Sequence, residues 1–183
     1  MVKNEHEKKD SITEDVFYPD HPPRKESLTF RQTKSKGHKA GLPCAISGMK
    51  TGVEYHHLFC EWAFTDAVDW AVVKGVATGA ITELPILDMQ NDLPAPTGET
   101  YKAEHSLLWA ICKLAEYRGF DWAKFNPLMP ETFIDSMANM LVLHEKFHRH
   151  KDHGIHAMTL PEWIFQAYPR TSGFVFTPDE TKN

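Results

Sequence analysis

Two short stretches hold seven of the chain's eleven histidines. The first is Glu54-Tyr55-His56-His57. The second runs from His144 to His156 and carries five histidines in thirteen residues. Imidazole is a ready ligand for divalent transition metals and the side chain whose ordinary pKa lies nearest neutrality. On a strand, neighbouring residues point to opposite faces, so His56 can hold a metal ion while His57 takes a proton from water. His144, His148 and Asp152 are spaced i, i+4, i+8 and would line one face of a helix, a normal way to hold a divalent cation. The plainer readings are a pair of partly exposed strand histidines and a solvated helix end with imidazoles near its negative pole.

The elements that must position these groups are partly legible. Residues 1–39 are polar, carry Pro19, Pro22 and Pro23, and lack useful periodicity, which predicts a flexible arm. Within it, Leu28 and Phe30 alternate with Thr29 and Arg31 and could make one short strand. Residues 42–47 and 53–59, separated by a turn at 49–52, read as a hairpin with His56 and His57 near the end of its second strand. Helical spacing predicts helices over 61–74 and 100–118, the latter through Leu107, Leu108, Ile111, Leu114 and Ala115, and a short helix from Pro130. Residues 80–98, broken by Pro85, Pro94 and Pro96, read as irregular. Residues 140–143 are a strand or a helix face, which periodicity cannot decide. Thr159 to Glu162 fits a capping box, and 173–177 a final strand.

With 183 residues, 42% of them apolar and 25% charged, the chain reads as one globular domain, 40–183, plus the arm. No apolar run approaches the roughly 18 residues of a membrane span. The first ten residues have no apolar core, so no secretory signal is expected. Cys44, Cys60 and Cys112 make neither a disulfide framework nor a four-cysteine zinc site, which suggests a reducing, cytoplasmic setting. Between Arg24 and Lys39 there are six Lys/Arg and one acid, whereas residues 40–183 hold 11 basic and 18 acidic residues. Nucleic-acid affinity rests on phosphate neutralisation, so the acidic body argues against such a ligand and the basic segment partly answers.

Taken together, the clusters resemble the HNH endonuclease family, the ββα-metal nucleases, in its phage-type form. The residues that carry the likeness are Pro43-Cys-Ala-Ile-Ser-Gly48 before Val53-Glu-Tyr-His-His57, then Asn139-Met-Leu-Val-Leu143, with His148 nine residues after that Asn and Asp152 four further on. The 81 residues between His57 and Asn139 are far more than family members commonly have, so 60–138 would be a helical insertion. The family's four-cysteine zinc is not expected, since only Cys44 stands at one of its positions. The resemblance implies an α+β fold with a ββα-metal core and hydrolysis of DNA phosphodiester bonds, in the cytoplasm of a bacterial or phage-infected cell. It implies His57 as general base and Asn139 stabilising the loop that fixes it. His56, His148, Asp152 and His144 are the metal-ligand candidates, with Mg or Mn for turnover and Zn or Ni able to bind. Lys146, Arg149, His150 and Lys151 would meet flanking phosphates. DNA is the expected partner; a protein assembly partner is left open.

Two rivals use the same residues. His144-Glu145-Lys146-Phe147-His148 is a literal HExxH, in which two helical histidines bind zinc and Glu145 activates water. Its third ligand would be Glu162 or Glu180. This reading leaves His56, His57 and Asn139 unexplained. The other rival is a non-catalytic metal-binding or virion-type structural protein.

Overall fold

A computed structural model describes residues 25–88, 95–149, 154–156, 167–169 and 171. They form an α+β arrangement of helices and two antiparallel two-stranded sheets. The helices are α1 (Leu28–Lys39), α2 (Trp70–Thr78), α3 (Leu107–Tyr117), α4 (Glu131–Ile134) and α5 (Glu145–His148). Strand β1 (Val53–His57) pairs with β4 (Met140–His144), and β2 (Glu83–Asp88) with β3 (Ala95–Lys102). Among the described residues no helix is long and apolar enough to cross a membrane.

The segment between β1 and β4 builds the larger core. Asp69 starts α2 by accepting the N–H groups of Ala71 and Val72, each at 3.1 Å. Ser106 starts α3 in the same way, its Oγ accepting from Trp109 N at 3.0 Å. Leu108, Ile111, Cys112 and Ala115 form the buried stripe of α3, in one cluster with Val73, Val76 and Ala77 of α2. Trp70, Phe120, Trp122, Phe125 and Phe133 close it with edge-to-face and tilted rings, such as Trp122 and Phe133 at 4.8 Å. Phe133 and Ile134 on α4 are fully buried, each stabilising by about 1.5–3 kcal/mol.

A second, smaller cluster joins Phe30 of α1 to Tyr55 of β1 and to Met140 and Val142 of β4. Leu28 and Phe30 therefore belong to a helix, not a strand. Ser27 caps it, accepting from Phe30 N at 2.9 Å, and Phe30, Thr33 and Gly37 form its buried face. Their i, i+3, i+7 spacing is helical, but the small residues at 33 and 37 hide it from a hydrophobicity reading.

Other expectations are corrected in detail. The partner of β1 is β4, not residues 42–47. That run instead turns tightly, Gly48 N–H donating to Cys44 O at 2.9 Å, and touches β4 through Ala45 N–H to Val142 O at 2.8 Å. Pro43 and the exposed Ile46 leave it too short and too interrupted to pair as a strand. Residues 140–143 are strand. Residues 62–67 form a 3-10 helix, and α2 begins only at Trp70. Residues 100–102 end β3, and the helix starts after the Ser106 cap. The segment 80–98 contributes an exposed hairpin, β2 with β3, whose register shifts between Pro85 and Leu87. The capping box at 159–162 and the strand at 173–177 lie outside the described residues.

Candidate metal centre

Alternation along β1 and β4 sorts their side chains by face. Tyr55 and Val142 lie beneath α1, with His57 5.9 Å from the Phe30 ring. Glu54 and His56 point to the other face, toward α5. The register sets His56 opposite Leu141 and Glu54 opposite Leu143, so the two strands supply an apolar floor with two polar groups on it.

On that face three imidazoles meet. The ring of His56 lies 5.3 Å from that of His148 and 4.8 Å from that of His156, and the last two are 4.6 Å apart. One nitrogen from each falls within 4.8 Å of the others, a spacing that can hold a metal ion. His156 is returned to His148 by backbone pairing: Ile155 N–H donates to Phe147 O at 2.9 Å and His156 N–H to His148 O at 3.3 Å. His148 Nδ1 lies 2.7 Å from Glu54 Oε2, which turns Nε2 into the cluster, 2.9 Å from His156 Nε2, and Arg149 grips the same carboxylate with two nitrogens. His56 Nε2 is buried and has no hydrogen-bond partner among the described residues. Burial, with the neighbouring imidazoles adding to it, pushes His56 down to about 4, and burial likewise lowers His156. Both are thus neutral at pH 7, the form that binds metal.

His57 is held on the opposite face by two carboxylates. Its Nε2 lies 3.0 Å from Oδ1 of the buried Asp135, and its Nδ1 lies 3.3 Å from Glu61 Oε2. Asp135 Oδ2 accepts from Ser27 Oγ at 2.7 Å, which ties the start of α1 to the same chain of groups. Each ring nitrogen of His57 thus faces a carboxylate oxygen, and the two acids together fix the orientation of the ring. Burial opposes ionisation of Glu61, but the His57 hydrogen bond and the neighbouring imidazoles outweigh it and lower its pKa.

Asn139 is completely buried and uses its full hydrogen-bonding capacity. Its Oδ1 accepts from Phe59 N at 2.8 Å and Cys60 N at 3.2 Å. Its Nδ2 donates to Cys60 O at 2.9 Å and Ile134 O at 2.8 Å. The loop that follows His57 and carries Glu61 is thereby pinned to α4.

Of the expected ligands, His56 and His148 come together although 91 residues separate them. His144 does not join them. It is the last residue of β4, in register with Val53 on the α1 face, and its Nδ1 accepts from Lys146 N at 3.2 Å to cap α5. Because α5 begins at Glu145 and ends at His148, the i, i+4 face that HExxH needs does not form. Asp152, His150 and Lys151 lie outside the described residues. Lys146 on α5 and Arg149 just after it are exposed, Arg149 already engaged by Glu54.

Sequence reasoning missed His156, Glu54, Glu61 and Asp135. His156 stood in the histidine-rich tract, but fitting that tract to one helix hid it. Asp135 lies four residues before Asn139, and only the folded chain shows what it faces. No protein-family model, curated protein or solved structure matches this chain.

Proposed function

We propose that this protein is a metal-dependent endonuclease that hydrolyses phosphodiester bonds in DNA. The observation that carries the reading is the division of labour between two adjacent strand residues. His56 joins a group of imidazoles on one face, and His57 is oriented by a buried carboxylate on the other. A phosphodiester repels an incoming hydroxide, so its hydrolysis needs both charge neutralisation and a base. A divalent ion held by His56, His148 and His156 supplies the positive charge at the phosphoryl oxygens. The unpartnered nitrogen of His56 and the nitrogen-rich donor set suit Zn, Ni, Co or Mn better than Mg. His57 takes the proton from water, while Asp135 and Glu61 orient its ring and stabilise the imidazolium that results. Asn139 keeps the loop behind His57 in place. The exposed Arg31, Lys36 and Lys39 of α1 give the acidic chain a basic strip for the DNA backbone, with Lys146 beside the site.

The test is plasmid cleavage with purified protein in Mn²⁺ or Mg²⁺, alongside measurement of bound metal. His57→Ala keeps its metal and loses roughly 10²–10⁴-fold in rate, the usual share of a general base. His148→Ala loses both. Glu145→Ala, an exposed position on α5, retains both. If the wild-type protein binds metal and leaves DNA intact under all these conditions, the nuclease reading is wrong and a non-catalytic metal-binding role replaces it. If Glu145→Ala removes a hydrolytic activity that His57→Ala spares, the peptidase reading replaces it.

A further inference from the structure

We propose that Glu61 supplies a fourth ligand, Oε1, to the ion held by His56, His148 and His156, so that one carboxylate joins the metal to the His57–Asp135–Ser27 chain. This rests on the reading that the three imidazoles bind metal, but not on any nuclease activity.

Two atoms in this region are buried without a hydrogen-bond partner among the described residues, Glu61 Oε1 and His56 Nε2, and they face each other at 3.8 Å. That separation is too long for a hydrogen bond. It is close to the spacing of two atoms bound to one ion: bonds of about 2.0–2.2 Å at a tetrahedral angle set nitrogen and oxygen roughly 3.3–3.5 Å apart. A buried carboxylate oxygen with nothing to accept from is costly, and a cation removes that cost. The Glu61 backbone is fixed as well, because Asn139 takes both the N–H and the C=O of the preceding Cys60. Three imidazoles and one carboxylate make a donor set for a borderline divalent ion.

The other oxygen, Oε2, lies 3.3 Å from His57 Nδ1. Bound metal and the oriented histidine therefore share one side chain, and the Ser27 hydroxyl extends the connection to the first turn of α1.

The probe is Co²⁺, whose visible absorption responds to the number and type of its ligands, titrated into the full chain in competition with a chelator. Glu61→Ala should weaken Co²⁺ by more than the roughly 10–100-fold typical of groups outside the coordination sphere, and should change the spectrum. Glu61→Gln, which keeps the shape and can still bond His57, should show the same spectral change and guards against misfolding of the alanine variant. Asp135→Asn should leave the spectrum unaltered and weaken binding at most within that outer range. A Glu61→Gln protein with the wild-type spectrum overturns the proposal, whatever its affinity. Wild-type protein that takes up no Co²⁺ overturns it together with the metal centre itself. Stoichiometric Co²⁺ binding without DNA cleavage defeats only the nuclease reading.

Discussion

The carboxylate of Glu54 lies 2.7 Å from the Nδ1 of His148, although 94 positions separate the two residues. Arg149, the next residue, holds the same carboxylate with its guanidinium. Nδ1 is thereby committed, and Nε2 is turned toward His156, 2.9 Å away. A β1 residue thus decides how an α5 imidazole faces the other two.

Replacing Glu54 with alanine should consequently weaken metal binding by about 10–100-fold, the usual cost of losing a group that orients a ligand. Stability of the metal-free protein should change little, since the Arg149 side chain is exposed and such pairs contribute about 0–1 kcal/mol. A Zn²⁺ titration reads the first effect and urea unfolding in a chelator the second. Unchanged affinity would mean that His148 is oriented by something else.

Asn139→Leu leaves four backbone groups without their partner: the N–H groups of Phe59 and Cys60 and the carbonyls of Cys60 and Ile134. Each unmet buried group costs about 1–3 kcal/mol, part of it recovered as the loop relaxes toward water. A loss of roughly 3–5 kcal/mol is expected by urea denaturation, at the upper end for a single substitution. A loss below about 1 kcal/mol would show that the loop holds its shape unaided.

Gly37 sits on the buried face of α1, where a Cβ would lie 2.2 Å from Tyr55 Oη and 2.9 Å from its Cε1. In an isolated helix alanine would be favoured over glycine by about 1 kcal/mol. Here the clash with a buried ring, costing about 1–3 kcal/mol, should win. Gly37→Ala is expected to lower stability and to speed hydrogen exchange across 28–39. A more stable variant would mean that α1 does not pack on Tyr55 at this distance.

The three thiols should differ sharply in alkylation. Burial raises Cys60 well above its ordinary value and raises Cys112 to about 12. At Cys44 burial acts in the same direction, but hydrogen bonds from Ser47 and nearby amides outweigh it and bring the thiol to about 7. The thiolate is the reactive form, and Cys44 is as buried as the other two, so iodoacetamide should reach it through local opening of the 44–48 turn, at a rate that rises as pH increases through about 7 and levels off above it. Cys60 and Cys112 should react only after unfolding, and peptide mapping would separate the three. A Cys44 midpoint near the ordinary cysteine value would contradict the hydrogen-bonded turn.

How far the chain could be read in advance follows from the range of the interactions. The stripe of α3 and the stop at Gly119 were local, and periodicity finds such signals. The pairing of β1 with β4 was not local. Residues 42–47 offered a nearer partner for β1, and only the order of the histidine clusters hinted that the chain returns from far away. His56 and His148 were identifiable by type and spacing. Glu61 and Asp135 were not, because an isolated acid in a sequence carries no sign of what it will face. His144 was overread: strand-to-helix transition at that residue turned an apparent helical ligand into a cap.

The bond from Leu58 N–H to Asn139 O, 2.7 Å long, closes a loop of about eighty residues, and with it comes an order of events in folding. Closing so long a loop from an unfolded chain costs roughly 4 kcal/mol of entropy, with only short strands to offset it. The intervening segment has the larger core, rich in contacts between α2, α3 and the aromatic residues that follow them. Its collapse is expected to bring residues 58 and 139 near each other before β1 and β4 meet. Substitutions in that core should then slow refolding, while substitutions in the β1–β4 pair should mainly hasten unfolding. The histidines would be the last part of the molecule to assemble and the first to come apart.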